Sequence, residues 1–318
     1  MLKTFPPISG DTNNEAPPNC FWLDLVDPSK DEVALVRARF GINVPARSAL
    51  EEIEASSRLR LEGDILYMSA PLLAGTANEK WEVAPTGFIL SPECCVTVRF
   101  AELDAFATVI GEIGSKEDLE PVQVFVRLLE EVVDRAADHL EHASGIVSDA
   151  FQAVFFDERQ KRMLNEDTAM LSETIRKIGQ ASDRASRVRY MFLSIGRMAG
   201  FVMERRQPKV AGELRGRLEA IRHDIASLDE FEASLAGRIQ LLQDAATSFL
   251  SIEQNDVVKL LTVVSVVGVP PVLVAGIYGM NFKYMPELGW HLGYPFALVL
   301  CALSALLPLL WFKRRGWI

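Results

Sequence analysis

The run LLTVVSVVGVPPVLVAGIY, residues 260–278, holds 19 residues without a charge, and YPFALVLCALSALLPLLWF, residues 294–312, is a second run of 19. Each approaches the roughly 20 apolar residues that cross the hydrocarbon core of a bilayer. The chain is therefore read as carrying two transmembrane helices, with the first span taken as 260–281. A hairpin buried in a soluble core would leave Trp290, Tyr294 and Trp311 unexplained at the borders, where aromatic belts sit in a membrane. Lys259, Lys313, Arg314 and Arg315 flank one side of the pair, whereas the stretch between the spans holds only Lys283 and Glu287. The positive-inside rule then puts both chain ends in the cytoplasm. Residues 282–293 become an external loop and residues 313–318 a basic tail. The expectation is a multi-pass protein of the cell (inner) membrane.

The charge distribution also points to two solvents. Against 33 basic residues stand 43 acidic ones, a net −10 over 318 residues, and the mean hydropathy is +0.14. From Lys259 onward there are five basic residues and one acidic, a balance of +4, so the residues before it carry −14. An acidic body excludes nucleic acid as the expected partner, because neutralising phosphates needs a basic surface. Cys20, Cys94, Cys95 and Cys301 form no CxxC pair, and the adjacent Cys94 and Cys95 in ECCVTV read as buried strand residues in a reduced compartment. MLKTFPPISG lacks the apolar centre of a secretory signal, so none is expected.

Working back from the first span, no helix terminator occurs between Pro208 and Pro270. Leu214, Leu218, Ile221, Ile225, Leu228, Leu235, Ile239, Leu242 and Phe249 follow steps of three and four, a heptad-like seam interrupted at Glu232 and Ala246. A helix of about 65 residues at roughly 1.5 Å per residue is on the order of 100 Å long, too long for a compact domain. Residues 207–259 are read as a stalk helix running into the membrane. Residues 116–206 read as a helical segment opened by Pro121. Residues 20–115 read as an α/β domain. In it FWLDLV (21–26) is a strand, Pro28-Ser29 opens a helix that closes near Gly41, and Ser48-x-x-Glu51 resembles a capping box. Strands flank Glu62-Gly63-Asp64, and shorter β runs cover Trp81–Val83, Gly87–Leu90 and Cys94–Phe100. Residues 1–19, rich in Pro and Asn, read as a flexible arm. The expected fold class is an α+β cytosolic domain with a helical bundle and one very long stalk helix continuing into the first of two transmembrane helices.

Two spans cannot enclose a pore, so the chain is either merely anchored or assembles around an axis. The stalk seam gives a reason to associate, and Ser265, Gly268 and Ala275-Gly276 permit close approach of helices. Pro270-Pro271 removes two ladder donors at mid-membrane and should kink the helix, which is tolerable where the freed backbone faces a wet axis. These features favour a pore-lining helix over a kinked anchor.

Beyond the first span stand Tyr278-Gly279-Met280-Asn281-Phe282 and Met285-Pro286-Glu287-Leu288. With EQNDVVKLLTVVSVVGVPPVLVAGIYGMNFKYMPELGW (253–290), they closely resemble the CorA magnesium-channel family, whose signature is Gly-Met-Asn after the first span. Trp22-Leu23-Asp24-Leu25, Leu50-Glu51-Glu52-Ile53 and RLLEEVVDRAADHLE (127–141) are similar to that family too, so the resemblance covers nearly the whole chain.

The resemblance implies a funnel-shaped homopentamer whose first spans line the pore. Mg2+ gives up its water reluctantly. A filter of Gly279, Met280 and Asn281 would select the hydrated ion, with Asn281 carboxamides bonding its water shell. By the same resemblance, pore positions fall on Val272, Val269, Leu261, Val258 and Asn255. Leu261 and Val258 would form an apolar constriction that gates by dewetting. Val272 departs from the family, which often has a hydroxyl residue there. Family members also sense cytosolic Mg2+ through acidic residues bridging subunits, and those positions match Asp244 and Glu52, the latter commonly Asp in relatives. An occupied pair would hold the closed state; an empty pair would repel and loosen it. The basic residues 313–315 would anchor the span at lipid headgroups.

Enzyme chemistry is not expected. His139, His142, His223 and His291 form no HExxH motif, and His139 and His142 read as residues of a solvated helix face. No Gly-Lys dipeptide occurs, so there is no Walker A loop. None is needed, since a divalent cation entering a negative-inside cell gains about 4.6 kcal/mol per 100 mV. The expected activity is potential-driven influx of Mg2+, also Co2+ and Ni2+, with Mg2+ as substrate and regulator and no cofactor. Two rival readings stay open: a transporter of Zn2+ resembling ZntB, and a membrane-anchored coiled-coil sensor without transport.

Overall fold

The computed structural model describes residues 1–5, 20–52, 58–76, 81–113, 116, 119–156, 164–206, 209–210, 212–281 and 283–317. The chain divides into two compact units: Met1–Glu158 with Ser172–Gln243, and Arg159–Leu171 with Asp244–Ile318.

The first unit is built on strands β1 (Leu2–Phe5), β2 (Trp22–Val26), β3 (Leu59–Glu62), β4 (Ile65–Ala74), β5 (Glu82–Leu90) and β6 (Cys95–Arg99). Their order in the sheet is β1-β2-β6-β5-β4-β3, antiparallel except for the parallel pair β2 and β6. That central pair is covered on both faces, so its residues are nearly all buried rather than alternating. On one face Leu23, Leu25, Val96 and Val98 pack with Val36 of α1 (Lys30–Phe40) and Leu50 of α2 (Arg47–Leu50). On the other, Phe88 meets Phe106 of α3 (Asp104–Ile113) at 6.2 Å and Phe125 of α4 (Pro121–Phe155) at 5.9 Å between ring centroids.

Three local expectations change. The start of the supposed arm is the edge strand β1, held by pairing Leu2–Phe5 against Trp22–Leu25 and by the Met1 ammonium donating to the Val26 carbonyl at 2.6 Å. Residues 6–19 lie outside the described residues. Ser29 and Glu32 form the capping box of α1, and Gly41 closes that helix at φ +65°, where a side chain would be strained. The second proposed box fails: α2 is a single turn capped by Ala46, so Ser48 falls inside it and makes no cap bond, while Glu51 pairs with Arg47 at 3.0 Å. The two β runs at 81–83 and 87–90 are parts of one strand, β5. It continues through Pro85, opposite Pro71 on β4, where neither β3 nor β6 pairs alongside and no outer ladder bond is lost.

Helix α4 and the parts of α5 (Leu164–Arg205) and α6 (Gly212–Tyr278) that fall within Ser172–Gln243 complete the first unit as an up-down-up bundle. Arg217 of α6 pairs with Glu130 of α4 at 2.6 Å, and Arg238 lies over the Phe151 ring at 5.7 Å, so α4 and α6 run parallel. Arg189 of α5 meets Asp229 and Glu232 of α6 at 3.1 and 3.2 Å. The apolar seam of α6 buries Leu218, Ile221, Ile225, Leu235, Ile239 and Leu242. Its supposed interruptions, Glu232 and Ala246, are buried in the same line. Burial pushes the Glu232 carboxyl above the ordinary range, with the Arg189 guanidinium opposing it. The helix starts at Gly212, later than the expected 207, and has 67 residues.

In the second unit, α6 continues to Tyr278, a 3-10 turn covers Pro286–Gly289, and α7 spans Gly293–Arg314. Only 6% of the most apolar window of each helix is buried. A core helix of a soluble protein hides such a surface, so these are helices for an apolar solvent. Past α7 the chain turns back at Gly316 (φ +71°), which stacks Trp317 on Phe312 at 5.3 Å and leaves Arg315 over Trp311 at 5.2 Å.

Candidate functional site

At 3.6 residues per turn, Val258, Leu261, Ser265, Val269, Val272 and Gly276 fall within an arc of about 80° on α6, and Asn255 lies about 40° beyond it. Their side chains are open: Val258 is 59% exposed, Leu261 67%, Val269 61% and Val272 71%. Val263, Val267, Pro270, Pro271, Val274 and Tyr278, which are buried or half-buried, lie on the opposite side. That side meets α7, where the Cys301 thiol lies 3.8 Å from the Pro271 carbonyl. The five sequence-predicted pore positions are thus turned away from α7. The flanks, Val264 and Leu273 among them, are exposed as well and offer apolar surface to lipid or to further copies of the chain.

Helical structure runs through Pro270-Pro271 rather than ending there. Thr262 donates to the Val258 carbonyl at 2.7 Å and Ser265 to that of Leu261 at 2.8 Å, so both hydroxyls are satisfied within the helix. The Gly279 N–H still reaches the Ala275 carbonyl at 2.9 Å, and Met280 bonds Ile277 at 3.2 Å, before the chain leaves the helix at Asn281. Asn281 is exposed, one residue past the last helical hydrogen bond.

The two acidic residues matched to metal sensing sit in different units. Glu52 is exposed just after α2, and its carbonyl accepts from Arg58 Nε at 2.6 Å. Asp244 is exposed on α6, and its carbonyl accepts from Thr247 and Ser248 at 2.9 and 2.8 Å. Among the described residues no three His, Cys, Asp or Glu side chains converge to hold a metal ion.

The sequence reading missed a polar network inside the sheet. Asp24 is fully buried and takes Arg99 through Nε and Nη2, the latter at 2.9 Å, while Thr97 donates to it at 2.8 Å. Trp22 Nε1 donates to Thr97 at 3.0 Å, and Arg99 Nη1 reaches Glu102 at 2.9 Å. Although burial pulls the other way, Asp24 and Glu102 hold the Arg99 guanidinium more firmly protonated than usual. The signal was the Asp in Trp-Leu-Asp-Leu, a charge within a strand otherwise apolar.

His139 needs a correction. It is 3% exposed rather than solvated, because α4 turns that side of its face toward Gly75 at the end of β4. Burial, helped by the Arg184 charge, lowers its pKa below the ordinary 6.5. An unfolded chain protonates this histidine as pH falls through about 6.5 while the folded chain does not, so stability present above that pH is lost below it. Melting temperatures of the intact protein between pH 7.5 and 5 should fall, and His139→Gln should flatten the decline. An unchanged slope would refute the assignment.

Fold and exposed stripe together define a two-span membrane protein whose first span prolongs a long helix of an α+β unit. Comparison with known proteins makes this specific. The profile of the CorA-like Mg2+ transporter protein family matches residues 19–314. The magnesium transport protein CorA of Pasteurella multocida (strain Pm70) is 33% identical over 318 residues, covering 97% of this chain and 95% of its own. That of Escherichia coli (strain K12) is 33% identical over 304 residues, covering 94% and 92%. The structure of the CorA magnesium transporter from Methanocaldococcus jannaschii shares the fold, with a TM-score of 0.74 at 18% identity over 100% of this chain and 98% of that one. The chain belongs to the CorA-like Mg2+ transporter family.

Proposed function

We propose that the chain is one subunit of a homopentameric, funnel-shaped channel of the cell inner membrane, passing Mg2+, and with it Co2+ and Ni2+, into the cytoplasm down the membrane potential. One observation carries this reading: an exposed stripe on α6, turned away from α7, leads to an exposed Asn281. Five such helices around an axis would line a pore with Asn255, Val258, Leu261, Val269 and Val272, ringed outside by α7. Gly279, Met280 and Asn281 would form the filter at the outer mouth. Neutral carboxamides there select the hydrated ion, because stripping Mg2+ of its octahedral water is costly. Val258 and Leu261 would close the pore by dewetting. Both chain ends would lie in the cytoplasm, with residues 313–315 at the headgroups. No enzymatic step is involved.

Flux into proteoliposomes tests this directly. Mg2+ entry that follows an inside-negative potential and ignores a pH gradient supports the channel. Flux of Zn2+ alone, driven by a pH gradient, would place the protein with ZntB-like transporters instead.

Gating is assigned to Mg2+ bridging Asp244 of one subunit and Glu52 of its neighbour. With the metal bound, the carboxylates hold the subunits together; without it they repel. Asp244→Ala should raise the internal Mg2+ concentration needed for half-inhibition by about tenfold, the worth of one charged contact. Inhibition at the wild-type concentration would remove Asp244 from this role.

A further inference from the structure

Within the arc of α6 formed by Val258, Leu261, Ser265, Val269, Val272 and Gly276, only Ser265 carries a polar side chain. It is exposed, as Leu261 and Val269 on either side of it are. Thr262, just beside the arc, is half-buried. A divalent ion that followed this stripe inward from Asn281 would meet Val272 and Val269 first, and neither offers it an oxygen. Charge is costly at that depth of a bilayer unless polar groups attend it.

The hydrogen bonding of Ser265 decides what it can attend. A hydroxyl has one proton and two acceptor lone pairs. The Ser265 proton is committed to the Leu261 carbonyl at 2.8 Å, and among the described residues no donor reaches its oxygen. That oxygen can therefore only accept. Water held by a cation turns its hydrogens outward, so a hydrated cation asks its surroundings for acceptors. A hydrated anion asks for donors and finds none here. Mg2+ keeps its water reluctantly exchanged, which favours contact through the shell over direct ligation by a hydroxyl. Small size alone does not account for a serine, because alanine or glycine would admit a neighbouring helix as closely.

We propose that in the pentameric pore the Ser265 hydroxyls form a ring that accepts hydrogen bonds from the water shell of the cation, a station between the Asn281 filter and the constriction at Leu261 and Val258. This rests on the pore reading given above. Ser265 lies one turn from Leu261 on the filter side, about 6 Å along the helix. The ring thus holds the hydrated ion against the dry constriction, ready to pass when the constriction wets.

Potential-driven Mg2+ entry into proteoliposomes of the full-length protein tests the station with two pairs of variants matched in size. Ser265→Ala removes the oxygen and keeps a small side chain; it should lower the initial rate at least about tenfold. Ser265→Thr keeps the hydroxyl, whereas Ser265→Val has nearly the same shape without it, and the first should admit Mg2+ at least about tenfold faster than the second. If Ser265→Ala does not reconstitute, the second pair decides. Ser265→Cys treated with a positively charged thiol reagent examines the pore itself, and a loss of entry that the treated wild type does not share is expected. Wild-type entry in Ser265→Ala, or equal entry in Ser265→Thr and Ser265→Val, would overturn the station while a blocked Ser265→Cys left the pore standing. A Ser265→Cys variant that the reagent leaves unaffected would overturn the pore reading, and the station with it.

Discussion

Asn281→Ala is expected to reduce potential-driven Mg2+ entry into proteoliposomes by at least about tenfold. The exposed carboxamide follows directly on the stripe of α6, and in the proposed assembly five of them would face one ion. Each bond from a carboxamide oxygen to a metal-bound water is charge-assisted, about 1.5–3 kcal/mol. Each 1.4 kcal/mol is a factor of ten in an equilibrium constant, so losing even one such contact reaches the expected effect. Asn281→Asp should preserve cation entry and alter the preference between Mg2+ and Co2+, because it places fixed charge where a neutral oxygen stood. Wild-type flux in Asn281→Ala would favour the membrane-anchored sensor, which needs no filter.

Asp24→Ala is expected to destabilise the first unit by about 3–5 kcal/mol, because it strands the Arg99 guanidinium in the sheet with its main partner gone. Thr97 also loses its shorter bond, to Asp24 at 2.8 Å, and keeps only the Leu23 carbonyl at 3.4 Å while it accepts from Trp22. The double variant Asp24→Leu/Arg99→Met should recover much of this loss, since replacing both partners of a buried pair with apolar residues is often neutral. Thermal unfolding of the full-length protein in detergent measures all three. If Asp24→Ala melts with the wild type, or the double variant is no better than the single, the pair is not the keystone assigned here.

Of the candidate site, the linear part was legible in the sequence. Charge-free runs mark helices for lipid, and a 3.6-residue period projects Val258, Leu261, Val269 and Val272 onto one side whatever surrounds them. Glu52 and Asp244 were reached by resemblance alone, since nothing in their neighbouring residues distinguishes them from other surface carboxylates. His139 was misread because an i, i+3 pair with His142 suggests one solvated face, whereas burial depends on what packs opposite. Glu232 looked like a break in the seam for the same reason; Arg189, 43 residues away in the chain, makes its burial tolerable.

What the sequence by itself determined is therefore which segments are apolar enough to cross a membrane and which residues follow the first of them. Hydropathy, charge and periodicity are sums over neighbours in the chain, and Gly279-Met280-Asn281 is three adjacent residues. The tertiary structure alone decided that Leu2–Phe5 is an edge strand, that Asp24 and Arg99 share a dry sheet, and that the stripe of α6 faces away from α7. Each depends on a partner that packing supplies from 17 or more residues away, and no local pattern encodes which partner that will be.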